Sequence, residues 1–102
     1  MNLRLTNLNE YLHLEDEPDK LNINIKDDFV EFDFYLYALP DFETLLVMID
    51  KLLEGQSSTE VLGNVLFETS YQDREYTISI NSIPIVFNKY QIDVLYKFLL
   101  SI

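Results

Sequence analysis

Apolar and polar residues alternate from Leu21 to Lys26 and again from Val30 to Tyr37, which is typical of β-strands with one buried face. We expect two strands joined by a tight turn at Asp27-Asp28, because this turn keeps the apolar residues of both strands on the same face. Asp-Asp is not a preferred turn sequence, so the turn type is left open. The predicted register pairs Ile25 with Val30, Ile23 with Phe32 and Leu21 with Phe34.

A second alternating stretch, from Val65 to Phe87, predicts three further antiparallel strands. Turns are expected at residues 72–75 and at Asn81-Ser82, where short polar runs separate the apolar stretches. Pro84 falls on the outer face of the last strand and removes a hydrogen-bond donor, which favours an edge position. The predicted register of the last two strands pairs Ile80 with Ile83, Ile78 with Ile85 and Tyr76 with Phe87.

Two amphipathic helices are predicted from apolar residues spaced three and four apart. The first begins near Pro40, with Asp41 as its N-cap, and ends at Gly55. The second begins after Asn88, whose side chain would cap the helix together with that of Gln91. The inner positions are Phe42, Leu45, Leu46, Ile49, Leu52 and Leu53 in the first helix, and Ile92, Leu95, Tyr96 and Leu99 in the second.

The N-terminal segment gives conflicting signals. The apolar residues between positions 8 and 12 have helical spacing, with Thr6 in position to cap a short helix, whereas Leu3 and Leu5 alternate as in a strand. We expect the run Glu15–Asp19 to end any regular element, because it combines a proline with clustered carboxylates.

The predicted fold is α+β, in a single domain spanning residues 1–102. We expect a two-layer arrangement in which a mostly antiparallel sheet of about five strands, in the order ββαβββα, has its helices packed on one face. The sequence shows no internal repeat.

Charge is the strongest compositional feature, since 18 acidic and 7 basic residues give a formal net charge of −11. Nine of the carboxylates lie between Glu10 and Asp33, where Lys20 and Lys26 are the only basic residues. Such a surface repels phosphate, which disfavours direct binding to nucleic acid or to an anionic membrane, and it attracts basic proteins. The alternative is that the acidic surface only keeps the protein soluble. Without cysteine, a secretory leader or a long apolar run, a cytoplasmic location is expected.

Catalytic and cofactor motifs are not found in the sequence. His13 is the only histidine, and with no nucleophile signature elsewhere we expect it to be a surface or hydrogen-bonded residue. Only Gly55 and Gly63 are available for a phosphate-binding loop, which needs several glycines. The Glu15–Asp19 run lacks the glycine and closing glutamate of a calcium-binding EF-hand loop. We therefore predict no cofactor, no dedicated metal site and no enzymatic activity.

The candidate binding surface is the outward face of the strand after Asp28, which carries Phe29, Glu31, Asp33, Tyr35 and Tyr37. Tyrosines offer a large contact area, and carboxylates suit a partner rich in lysine and arginine. The alternative is that the second helix or the N-terminal segment covers both tyrosines as ordinary core. The predicted partner-binding residues are Glu15, Asp16, Glu17, Asp19, Glu31, Asp33, Tyr35 and Tyr37.

These features favour a non-enzymatic protein that binds and neutralises a basic macromolecular partner. In size, charge and lack of cofactor motifs, the chain is similar to immunity proteins, which neutralise toxic nucleases, and to small phage inhibitors of host defence enzymes. A second hypothesis is an acidic, dimeric secretion-type chaperone that holds an extended segment of an exported protein, since the predicted element order is loosely similar to that group. A third is a small enzyme with an undetected carboxylate site. The sequence leaves the oligomeric state open.

Overall fold

The computed structural model describes residues 1–102 and contains eight strands and two helices. The strands form two antiparallel meanders, and a helix follows each, so that the order ββββα occurs twice. The strands are β1 (Asn2–Asn7), β2 (Glu10–Glu17), β3 (Lys20–Lys26), β4 (Glu31–Leu36), β5 (Ser58–Leu62), β6 (Val65–Gln72), β7 (Glu75–Ile80) and β8 (Ile83–Phe87). The helices are α1 (Leu39–Leu53) and α2 (Lys89–Leu100).

The α+β class is confirmed, but the prediction of one sheet of about five strands in the order ββαβββα is only partly right. Strands β1–β4 form a first sheet and strands β5–β8 a second, each with four strands in sequential order. The prediction missed β5 because Leu62 is its only buried residue and its apolar Val61 is exposed, so the strand lacks an apolar alternation.

The N-terminal region is a hairpin, and the helix suggested near residues 8–12 is wrong. Leu5 pairs with Leu12, and both are buried, as is Leu14 in the same strand. The helical spacing was misleading because Leu8 lies in the turn and is 93% exposed. The run Glu15–Asp19 was expected to end any regular element. Instead, β2 continues through the first three residues of this run, to Glu17, and the chain turns only after that.

Leu8 adopts a backbone conformation that costs stability. Its φ of 57° is positive, whereas that of Asn9 is not, which is the pattern of a type II′ turn with glycine preferred at the first position. We expect Leu8→Gly to raise the free energy of unfolding by about 1 kcal/mol, because it relieves this strain and removes no buried contact. Urea denaturation measures the change. As a control, Val61→Gly at an exposed strand position should lower stability. If the Leu8→Gly chain is no more stable than wild type, the inference that Leu8 is strained is contradicted.

The hairpin of β3 and β4 has the predicted buried face but not the predicted register. Leu21 pairs with Leu36, Ile23 with Phe34 and Ile25 with Phe32, a shift of two residues from the expected pairing. The reason is a longer turn, in which Asp27 Oδ1 accepts hydrogen bonds from the N–H groups of Phe29 and Val30 at 2.8 Å each. A shift of two residues leaves every side chain on its original face, so the apolar pattern fits both registers.

The turn makes the ionisation of Asp27 a local stability determinant. Its pKa lies below the ordinary value of 3.8, mainly because the Phe29 N–H donates to the carboxylate, followed by the Val30 N–H. A lowered folded-state pKa means that the stabilisation is present above about 3.8 and is lost as the pH falls through the folded pKa. We expect the Asp27 carboxyl carbon to titrate below 3.8 by NMR, with the Phe29 and Val30 amide shifts following it. A midpoint at or above 3.8 would rule out these hydrogen bonds in solution.

The predicted register of β7 and β8 and the predicted edge position of Pro84 are both confirmed. Ile80 pairs with Ile83, Ile78 with Ile85 and Tyr76 with Phe87, as expected. Asn81 and Ser82 both have positive φ, which matches a type I′ turn and the right-handed twist of the strands it joins. Pro84 lies in β8, the last strand of the second sheet, where a missing N–H removes no bond from a central ladder.

The two helices end and begin largely as predicted. In α1 the N-cap is Ala38, without a side-chain hydrogen bond, so the prediction of Asp41 as N-cap is wrong. Its C-terminal stop at Gly55 is confirmed: φ is +79°, and the N–H groups of Gly55 and Gln56 donate to backbone carbonyls of the last turn at 2.9 Å each. The capping box of α2 is also confirmed, with Asn88 and Gln91 each accepting from the other's backbone N–H at 2.9 and 3.0 Å.

One core joins both halves of the chain. Its 24 buried apolar residues form a single cluster drawn from both sheets and both helices. Across the two sheets, Phe34 of β4 meets Phe67 of β6 edge to face, with ring centres 5.6 Å apart. Helix α1 contacts β5 and β6 of the second sheet as well as α2, and α2 contacts β1 of the first. The halves are therefore interlocked, and neither ββββα unit buries its apolar face alone.

Candidate partner-binding surface

The outer face of the first sheet, on the side opposite the core, carries polar residues from all four strands. Strand register aligns these residues in rows that cross the sheet. One row contains Arg4, His13, Asn24 and Asp33, the next contains Thr6, Tyr11, Lys26 and Glu31, and a third contains Asn2, Glu15, Asn22 and Tyr35. The structure thus places Glu15, Glu31, Asp33 and Tyr35 of the predicted set on this outer face.

Glu31 and Asp33 are oriented by amide side chains of the neighbouring strand. Asn24 Nδ2 donates to Glu31 Oε2 at 3.1 Å and to Asp33 Oδ1 at 3.2 Å. Asn22 Nδ2 donates to Asp33 Oδ1 at 3.0 Å and to the Phe34 carbonyl at 3.1 Å. Because these donors are neutral, they fix the carboxylate oxygens without cancelling their charge. A carboxylate pair that is ordered before binding loses less side-chain entropy when a cation arrives.

Tyr35 and Tyr37 are exposed, at 38% and 65% of their surface, so no helix or N-terminal segment covers them. Their ring centres are 6.0 Å apart. The ammonium of Lys20 lies 4.4 Å from the centre of the Tyr35 ring, a cation–π contact on the outer face. Tyr37 lies just beyond the end of β4, and Phe29 lies in the turn before it, so neither belongs to the strand as predicted.

Charge on the outer face is mixed. Arg4 stacks over the Tyr11 ring at 4.3 Å, and its Nε donates to His13 Nδ1 at 3.4 Å. Lys26 stands opposite Glu31 in the strand register. The basic side chains therefore lie toward β1 and the centre of the sheet, whereas Glu31 and Asp33 line its β4 edge.

The strongest concentration of carboxylates lies beside this face, around a groove of about 420 Å³ at the β2–β3 turn. Three of the predicted residues, Asp16, Glu17 and Asp19, line the groove together with Tyr37. The eight predicted residues are thus divided between two surfaces, the outer face and the groove. The exposed Tyr35–Tyr37 pair connects them, because Tyr35 belongs to the face and Tyr37 to the groove.

Sequence reasoning missed the apolar wall of the groove and the amides behind the carboxylates. Leu39, Phe42 and Leu46 of α1 form that wall, and Leu99 comes from the other end of the chain, so no sequence spacing brings them together. Asn22 and Asn24 had a usable signal. They alternate with the buried residues of β3, which places their amides on the outer face next to the carboxylates of β4. In the observed register Asn24 stands directly opposite Asp33, and Asn22 stands opposite Tyr35.

The described side chains include no group of three or more histidines, aspartates or glutamates placed to hold a metal ion. His13 is half-buried and hydrogen-bonded to Arg4, and no serine or threonine contacts its ring through a hydrogen bond. Neither helix is long and apolar enough to cross a membrane.

Comparison with known proteins gives no further identification: no family model matches the chain, and neither the curated proteins nor the solved structures contain a significant match.

Proposed function

We propose that this protein is a non-enzymatic binding module that neutralises a basic macromolecular partner, such as a nuclease. The main support is the exposed Tyr35–Tyr37 pair with carboxylates on both sides, Glu31 and Asp33 along β4 and Asp16 to Asp19 at the β2–β3 turn. Tyrosine is among the residues that contribute most binding energy in protein interfaces, and polar or charged residues usually form the rim around such anchors.

The mechanism would be steric and electrostatic. The formal net charge of −11 accelerates the encounter with a cationic protein. Once the two proteins meet, the carboxylates occupy positions at which a nuclease holds phosphate oxygens, and the tyrosines bury apolar area against the partner. The activity of the partner is then blocked because its nucleic-acid site is covered.

The alternatives have less support. The secretion-chaperone hypothesis depends on the order ββαβββα, which the chain does not have. The enzyme hypothesis needs two carboxylates in contrasting environments, and Glu31 and Asp33 share one exposed, amide-bonded environment.

Capture of cationic proteins from a lysate of the source cells tests the proposal, with the immobilised wild-type chain compared with two tyrosine variants. Tyr37→Ala removes a side chain that is 65% exposed on the proposed surface, and Tyr90→Ala removes one that is 76% exposed on α2. We expect wild type and Tyr90→Ala to retain the same basic protein, and Tyr37→Ala to lose most of it. Retention of no basic protein, or equal retention by all three chains, would contradict the proposal.

A further inference from the structure

The groove beside the β2–β3 turn combines concave shape, apolar wall and acidic rim. One wall is the turn itself, the opposite wall is the first half of α1, and the C-terminal end of α2 closes one side. Its volume of about 420 Å³ lies in the range of sites that hold a small ligand or a few side chains. A groove of the same volume on the outer face of the second sheet has no hydrophobic residue in its lining, so size alone does not distinguish the two.

The apolar wall is open to solvent. Leu39 and Tyr37 are each 65% exposed, and Phe42 and Leu46 beside them are half-buried. Water in contact with these side chains would be released by an apolar group of a partner, at about 25 cal/mol for each Å² covered. An apolar side chain is therefore the natural occupant of the centre of the groove.

The rim has the opposite character. Asp16 and Glu17 end β2, Asp19 lies in the turn that follows, and Glu43 of α1 also lines the groove. Lys20 is the one basic residue of the lining, and its ammonium is directed to the ring of Tyr35 on the outer face. Carboxylates thus stand on both walls, where a cation would be attracted from either side of the apolar centre and a phosphate or carboxylate would be repelled.

We propose that this groove binds a short segment of the basic partner in which a bulky apolar side chain is flanked by lysine or arginine residues. This proposal rests on the proposed function and names the part of the partner that is recognised. The apolar side chain packs on Leu39, Phe42 and Leu46, and the flanking cations pair with the carboxylates on both walls. The neighbouring outer face then contacts the folded body of the partner through Tyr35, Glu31 and Asp33.

A defined peptide tests the groove without knowledge of the partner. The probe is the blocked pentapeptide Lys-Lys-Phe-Lys-Lys, added to the isotope-labelled full chain and followed by NMR. We expect the largest shift changes at the amides of residues 16–20 and 39–46. Replacing the peptide's phenylalanine by glycine should weaken binding by about tenfold, and Glu-Glu-Phe-Glu-Glu should not bind. Shifts confined to other regions, or equal binding of the glycine peptide, would overturn the proposal.

Matched variants distinguish binding at the groove from attraction by the overall negative charge of the chain. The triple change Asp16→Asn, Glu17→Gln, Asp19→Asn should weaken the peptide about tenfold. The triple change Glu60→Gln, Glu68→Gln, Glu75→Gln on the second sheet removes the same charge, from −11 to −8, and should leave the dissociation constant within about twofold. Equal losses in both triples would show that only net charge matters, which overturns the groove.

The captured partner distinguishes failure of the groove from failure of the proposed function. Suppose that the partner binds the Asp16/Glu17/Asp19 variant as tightly as wild type, but binds a variant of Glu31 and Asp33 on the outer face less tightly. The groove proposal is then overturned, and the proposed binding function stands. If no basic protein is captured by wild type, the proposed function fails whatever the peptide does. Loss of the partner on the groove triple, with retention by the second-sheet triple, supports both.

Discussion

Replacing Glu31 and Asp33 together by lysine is expected to weaken binding of the basic partner at least about 100-fold. The change places two cations where the account puts cations of the partner, and like charges brought together in an interface cost several kcal/mol, of which each 1.4 kcal/mol is about tenfold. The effect on folding should be small, because both side chains are exposed and their hydrogen bonds come from amides that water can satisfy.

The control for this variant is Glu60→Lys with Glu68→Lys, which makes the same change in net charge on exposed positions of the second sheet. Dissociation constants by calorimetry at two salt concentrations measure both. We expect the control to lose affinity only modestly, and mostly at low salt, because distant surface charges are screened. Similar losses for the two variants would mean that overall charge, and not the outer face, drives binding.

Phe67→Ala is expected to remove about 3–5 kcal/mol of the free energy of unfolding. Phe67 is 1% exposed, and its ring packs edge to face on Phe34 of the other sheet, so its loss leaves a cavity where the two sheets meet. Small domains have about 5–15 kcal/mol in total, so the variant should be close to unfolding. Urea denaturation followed by circular dichroism measures the change.

The same titration tests whether the two ββββα units fold as one. Because one cluster of buried residues joins both sheets and both helices, wild type should unfold in a single transition. The matched control is Phe29→Ala, whose side chain is 93% exposed and which should change stability by less than about 0.5 kcal/mol. Two separate transitions, or a Phe67→Ala loss as small as that of the control, would contradict the shared core.

Elements fixed by local chemistry could be predicted from the sequence. Asn88 and Gln91 define the start of α2 within four residues, and the capping box forms as expected. The Asn81-Ser82 turn sets the register of β7 and β8 in the same way, because both residues adopt the positive φ that this two-residue turn requires. In these places the determining contacts are all close in sequence.

The prediction failed where two different structures fit the apolar pattern equally well. A register shift of two residues between β3 and β4 keeps the same buried face. The observed pairing goes with a longer turn, in which Asp27 Oδ1 accepts hydrogen bonds from the N–H groups of Phe29 and Val30. Leu8 suggested a helix because it is apolar, although it is exposed in a turn. The predicted second sheet lacked β5, because that strand has one buried residue, Leu62, and no apolar alternation that would reveal it.

The candidate site was predictable in its residue types but not in its arrangement. Alternation along β4 places Glu31, Asp33 and Tyr35 opposite the core, but it does not say whether another element covers them. In the folded chain neither α1 nor α2 covers Tyr35 or Tyr37, and both side chains are exposed. The groove depends on contacts between residues far apart in sequence, Asp16 and Leu99 among them, which no local pattern reveals.

Carboxyl footprinting of the chain, with and without its captured basic partner, tests the proposed binding surface most directly. Carbodiimide labelling followed by mass spectrometry compares the exposed carboxylates of the proposed surface with those of the second sheet. We expect the partner to protect Glu31, Asp33 and the carboxylates of residues 16–19, while Glu60, Glu68 and Glu75 are labelled as before. Protection of the second-sheet carboxylates, with unchanged labelling of Glu31 and Asp33, would contradict the proposed binding surface.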